Sequence, residues 1–250
     1  MTAGPRAGLA TLLGTLTLTA CITPPAPELV PVYGEEPRVA AWMAAARERG
    51  SERRALRALA QLRLDSPSGS GKVREVILVE RPARLRLETL NWLGQTQAVL
   101  VTNGERFSFY DGRAFEAGPV EPGLLLERLG LDLEPEEAVR VLLAAPSLTG
   151  DPPDAIYALG AERIAKFPRQ RVRFAADGDL RRVESLDEHG ELRWAAEYDG
   201  WRDVEGGRYP FAMHLRFPRT RVDAEFEFDE VDLNPTLAPG LFTLPPADED

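Results

Sequence analysis

One thiol, Cys21, and two imidazoles, His189 and His214, are the side chains of this 250-residue chain best suited to nucleophilic or metal chemistry. With no second cysteine, Cys21 has no internal disulfide to form. Neither histidine has metal-ligand spacing: His189 lies in the turn-forming stretch LDEHGEL, and His214 falls on the charged side of an alternating strand. No serine sits in a nucleophile elbow and the glycines form no phosphate-cradling loop. Adjacent acids such as Glu136 and Glu137 point in different directions on a helix and cannot share a proton. The residue types therefore predict no catalytic group, no metal ligand and no cofactor, and the chain is not expected to be an enzyme.

The surroundings of Cys21 suggest a different chemistry. Residues 1–20 carry one charge, Arg6, followed by an apolar run from Ala7 to Ala20 that is too short to cross a hydrocarbon layer of ~30 Å as a helix, so it reads as an export signal. Leu18, Thr19, Ala20 and Cys21 resemble the lipobox of bacterial lipoproteins, which implies that the thiol is diacylated and that Cys21 becomes the mature N-terminus. One acyl chain anchors marginally at about 0.8 kcal/mol per buried methylene, whereas two or more hold firmly. By the same resemblance an inner-membrane retention signal would place Asp after the cysteine. Ile22 stands there instead, which implies a protein anchored in the outer membrane and facing the periplasm. Residues 21–37 include TPPAPELVPVYGEEP, whose prolines fix φ and remove donors, so they should form an extended spacer.

Residues 38–250 are enough for a single domain with a substantial core. Loss of residues 1–20 removes one Arg and no acid, leaving 29 basic against 40 acidic residues, a net charge of −11. That balance argues against nucleic acid and against electrostatic adhesion to anionic lipid heads.

Val39, Trp42, Met43 and Ala46 recur at helical spacing, and Leu56 and Leu59 continue the period, which predicts one or two amphipathic helices over 38–60. The period then changes to two. Runs such as KVREVILVE, ARLRLETL, QTQAVLVT and RFSFYD, divided by GSG, Pro82, Asn103-Gly104 and Asp111-Gly112, predict an antiparallel meander. Residues 122–145 switch back to helix: a short one over 124–133 broken near Gly130, and one opening at Pro135 with Glu136 and Glu137 in its first turn and stopped by Pro146. No element is assigned to 147–165. From Val172 to Phe228 four further runs alternate apolar and charged residues, the pattern of a sheet with one dry and one wet side. The expected class is α+β: a strongly curved antiparallel sheet of roughly nine to eleven strands, an incomplete β-barrel with a helical lid over its apolar concave face.

That order of elements resembles the LolA/LolB-like family of bacterial lipoprotein-localisation factors, over residues 38–246. RLRLETLNWLGQTQAVLVTNGERFSFYDGR resembles the early strands of its LolB-like branch, and VDLNPTLAPGLFTLPP resembles its closing motif. The resemblance implies a cavity that binds acyl chains of lipids or lipoproteins, accepted from a periplasmic lipoprotein carrier and released into the membrane without covalent chemistry. Leu85, Leu87, Leu100, Phe107, Phe109, Trp194, Tyr198, Met213, Leu215, Phe226 and Phe228 are expected to face that space, although alternation is equally consistent with a filled core. Trp92 and Leu93, at the tip of the early turn, are the candidate transfer loop; a buried turn anchor is the other reading. The alternative function is a non-catalytic envelope sensor or assembly lipoprotein that uses the same shell to bind a protein partner.

Overall fold

The computed structural model describes residues 29–244, so the export signal, Cys21 and the first part of the spacer, 21–28, lie outside the described residues. A two-residue strand, β1 (Val30–Pro31), leads into helix α1 (Glu36–Glu52). A meander follows: β2 (Ala55–Ser66), β3 (Gly69–Glu80), β4 (Arg84–Leu90), β5 (Thr96–Thr102), β6 (Arg106–Tyr110) and β7 (Phe115–Pro119). Helices α2 (Leu124–Leu129) and α3 (Pro135–Leu142) separate it from a second meander. That one comprises β8 (Ala155–Leu159), β9 (Glu162–Lys166), β10 (Gln170–Phe174), β11 (Leu180–Leu186), β12 (Leu192–Val204), β13 (Gly207–Phe217) and β14 (Val222–Leu233).

The last strand returns beside the first long one: β14 pairs with β2, which fuses the two meanders into one curved antiparallel sheet of 14 strands. The sheet does not close, and its edges are β1 and β7. The α+β class and the incomplete-barrel architecture are as expected, but there are 14 strands rather than nine to eleven. Part of the excess lies in 147–165, where β8 and β9 put Tyr157 and Ile164 on one face and Ile156 and Ala165 on the other. Both faces are apolar there, so no alternation marks the strands. The expected helix over 38–60 ends at Glu52, and Leu56 and Leu59 belong to β2. Their three-residue spacing imitates a helix, yet Leu56, Ala58, Ala60, Leu62 and Leu64 keep period two and point to the dry side, while Leu59 points to the wet one.

Register fixes the dry, inner face. In one row Ala58, Ile77, Leu87, Leu100 and Phe109 stand side by side; in another Tyr198, Met213, Phe226 and Leu62 do. The three helices close over this face. Trp42 of α1 packs on the ring of Phe174 at 5.8 Å, and the buried side of α3 is Ala138, Val139, Val141 and Leu142. At the start of α3, Pro135 sits where its missing N–H costs nothing, and the Glu134 N–H donates to the Glu137 carboxylate at 3.2 Å. The closing motif turns at Asn234, whose Oδ1 accepts from the N–H of Arg54 at 2.6 Å. It then straps the wet face, where Leu237 and Phe242 bury against Ala55 and Leu78.

Candidate functional site

The inner face has two unlike ends. At one end, where β2 begins and β13 starts, the lid is fastened by polar side chains inside the apolar layer. Arg53 is 4% exposed, and its guanidinium donates to the carbonyls of Ala144 at 2.6 Å, Leu143 at 3.3 Å and Arg208 at 2.6 Å. The Tyr209 hydroxyl donates to Leu142 O at 2.5 Å and that of Tyr198 to Val141 O at 3.2 Å. These donors satisfy the carbonyls that the C-terminus of α3 leaves free, which buried backbone requires. Burial raises the pKa of both phenols well above the usual range, so neither ionises at neutral pH, and lowers that of Arg53.

At the other end the turns between β2 and β3, β4 and β5, and β13 and β14 meet, and the inner face is less covered. Leu62, Leu64, Val73, Leu87, Thr89 and Phe109 are half-buried there. Helix α2 crosses this half: Arg128 pairs with Glu116 at 2.5 Å and lies over the ring of Phe107, while Gly130 packs against Val222 and Thr220. Gly130 has φ +72° and closes the helix, and a Cβ there would meet Val222 at 2.9 Å.

From the same end projects the β4–β5 turn. Asn91 Oδ1 accepts from the N–H groups of Leu93 at 2.9 Å and Gln95 at 3.0 Å, and Gly94 N–H donates to Asn91 O at 2.9 Å. This self-bonded turn holds Trp92 89% exposed and Leu93 59% exposed. The buried-anchor reading of these two residues is thereby excluded.

All eleven side chains expected to line a cavity lie on the inner face. Leu85, Leu100, Phe107, Trp194, Tyr198, Met213, Leu215, Phe226 and Phe228 are buried, and Leu87 and Phe109 are half-buried toward the open end. All of the nine buried ones except Phe107 pack with the lid into one core, and Leu87 and Phe109 pack against its edge. Two grooves of about 680 Å³ lie elsewhere. One, on the wet face, is lined by Tyr157, Ile164 and a ladder of Arg171, Arg173 and Arg182 paired with Glu184 and Glu197; the other lies on the wet side of the β4–β5 turn, where Gln61, Lys72, Arg74, Gln97 and Asp229 line it with Trp92.

Sequence reasoning missed one group on the inner face. Glu75 stands between Ala60 and Thr89 in the register, is 4% exposed, and accepts from Thr89 Oγ1 at 2.8 Å. Burial pushes its pKa up to about 7, opposed by the Thr89 hydrogen bond and reinforced by the like charge of Glu88. The signal was available: in KVREVILVE an acid occupies the phase of Val73, Ile77 and Val79.

His189 is exposed, 3.6 Å from Glu188. His214 contacts Asp223 on the wet face, and with Glu225 these are the described residues whose ligand atoms converge within 4.8 Å. Arg216 holds Asp223 at 3.4 Å and Arg63 approaches Glu225 at 4.0 Å, so the trio belongs to the cross-strand charge ladder of that face.

No protein-family model matches the chain, and no curated protein matches it. Solved structures do. A LolA superfamily protein from Nitrosomonas europaea superposes with a TM-score of 0.55 at 11% identity, over 81% of this chain and 97% of that one. A DUF1329 family protein from Desulfovibrio piger gives 0.53 at 9% identity, over 83% and 97%. An outer membrane lipoprotein-sorting protein domain from Vibrio parahaemolyticus gives 0.50 at 12% identity, over 82% and 97%. At these identities the likeness is one of fold, and it extends over nearly the whole of each neighbour: the chain has the fold of the LolA superfamily.

Proposed function

We propose that this protein is a lipid-anchored envelope protein that binds acyl chains of lipids or lipoproteins on the open half of its inner face and exchanges them with the outer membrane, without covalent catalysis. The observation that carries this reading is the coincidence, at one end of the sheet, of a half-buried apolar strip (Leu62, Leu64, Leu87, Phe109) with an exposed apolar tip, Trp92 and Leu93. An acyl chain laid on such a strip gains roughly 25 cal/mol per Å² of apolar area removed from water and needs few directional contacts, so binding is broad and reversible. A tryptophan held in water at a loop tip is stabilised when its ring enters a membrane interface. Acceptance of cargo from a periplasmic carrier fits the same geometry, with α2 as the short covering element that moves. Its two ends are both left-handed glycines, Gly123 and Gly130.

Mass spectrometry of the protein purified from native membranes tests the reading: co-purifying phospholipid or acylated peptide supports it. An empty protein that also fails to bind the uncharged fluorophore N-phenylnaphthylamine favours the other reading, a sensor or assembly lipoprotein with a protein partner, for which the five-residue edge strand β7 offers an unpaired side.

Two expected results follow from the ends of the molecule. Cys21→Ala should give an unacylated chain that no longer sediments with membranes; continued sedimentation would refute the anchor. Trp92→Glu should slow lipid transfer to vesicles about tenfold or more while leaving the urea midpoint unchanged, because the side chain contributes nothing to the core. Unchanged transfer would remove the tip from the mechanism.

A further inference from the structure

Glu75 is the feature of the inner face that acyl binding alone does not explain. A carboxylate in an apolar layer costs several kcal/mol unless it is paired with a cation or fully hydrogen-bonded. Here no cation pairs with it among the described residues. One hydroxyl, that of Thr89, donates to Oε2, although a carboxylate offers about four acceptor sites. The adjoining positions in its row are small, Ala60 on one side and Thr89 then Ala98 on the other, with the ring of Phe228 beyond Ala60. Toward the rim, the next row of the face is Leu62 and Val73; inward, it is Ala58, Ile77, Leu87, Leu100 and Phe109. A bound acyl chain running inward over Leu87 and Phe109 therefore places its polar end at Glu75.

We propose that the open end of the inner face selects amphiphiles whose head group donates hydrogen bonds, whether a neutral hydroxyl or amide or a cationic amine, and rejects free carboxylates, with Glu75 as the accepting group. This rests on the acyl-binding reading and narrows its ligand class. A donor head completes the acceptor sites of Glu75 in a water-poor site, where such bonds are strongest. A fatty-acid carboxylate would set two like charges side by side, with no cation to offset them.

The test compares twelve-carbon competitors differing only in head group: monododecanoylglycerol, dodecylamine and dodecanoate, each displacing the uncharged fluorophore N-phenylnaphthylamine from the purified protein at about pH 8. The glycerol ester and the amine are expected to compete about tenfold or more better than dodecanoate. Glu75→Gln, which keeps the shape and the contact with Thr89, is expected to bring the amine and dodecanoate to within about threefold of one another while the glycerol ester keeps its place. Equal competition by all three heads, or a preference unaltered in Glu75→Gln, overturns the inference while leaving acyl binding intact. Failure of the fluorophore and of every competitor to bind, followed by intrinsic tryptophan fluorescence, overturns both.

Discussion

Replacing Arg53 with methionine is expected to lower the unfolding free energy by about 3 kcal/mol, read as a fall in urea midpoint at unchanged slope. The arginine is 4% exposed and faces no carboxylate; its guanidinium is stabilised by the carbonyls of Leu143, Ala144 and Arg208 and by the ring of Trp201, 5.4 Å away. Methionine keeps the apolar stem and removes the fork, so the buried carbonyls of Leu143 and Ala144 and the part-buried one of Arg208 lose this donor at once. Each such loss costs roughly 1–3 kcal/mol, and release of a buried charge returns part of it. Tyr209→Phe removes one donor from one carbonyl and should cost only about 1 kcal/mol. Amide exchange at 143–145 should accelerate in Arg53→Met well before the strands respond, because the substitution unfastens the lid and leaves the sheet ladders intact. An unchanged midpoint would show that the lid is held by apolar packing alone.

The two ends of the lid are held differently: one by buried donors, the other by the more solvent-exposed Arg128–Glu116 and Arg193–Asp132 pairs and the Thr220 hydroxyl on Gly130 O. On the proposed reading, opening occurs at the half of the inner face that shares its end with Trp92. On the same reading, cargo needs no passage through the core in which Tyr198, Met213 and Phe228 are buried. Alternation allowed two arrangements, a hollow cavity and a filled core; nine of the eleven named side chains are buried, eight of them in one packed core.

Alternation in the sequence carried the inner face well because side-chain direction in a strand depends only on parity. Leu85, Leu87, Leu100, Met213, Leu215, Phe226 and Phe228 could be assigned to one side without knowing which strands pair. What parity does not contain is who lies opposite. The carbonyls that Arg53 and Tyr209 reach are 90 and 67 residues away in sequence, so the lock was invisible while its helix was legible. Strands β8 and β9 escaped because they are apolar on both faces, and the start of β2 was absorbed into a helix because Leu56 and Leu59 mimic its period. Glu75 differs: parity with Val73, Ile77 and Val79 already puts this acid on the inner face, and the register with Ala60 and Thr89 supplies its neighbours there.

That inward acid gives the protein an unusual dependence on pH. Glu75→Gln is expected to raise stability over the parent by about 3 kcal/mol at about pH 8 and to change it little at about pH 4. The folded state holds the carboxyl proton up to about pH 7, whereas the unfolded chain releases it near 4.5, burial being the main cause and the neighbouring Glu88 charge a lesser one. Between those values the native state binds more protons than the unfolded one, so stability falls as pH rises through the window and is lowest above it. Glu88, Asp111, Asp187 and Asp199 are shifted downward and contribute in the opposite sense, so the effect is read as the difference between variant and parent. Urea midpoints of the two proteins, taken in steps from about pH 4 to about pH 8, should coincide at the acid end and diverge through neutrality. Parallel curves would mean that Glu75 is solvated in the folded protein, and with it would go the argument that its carboxyl waits for a donor on the ligand.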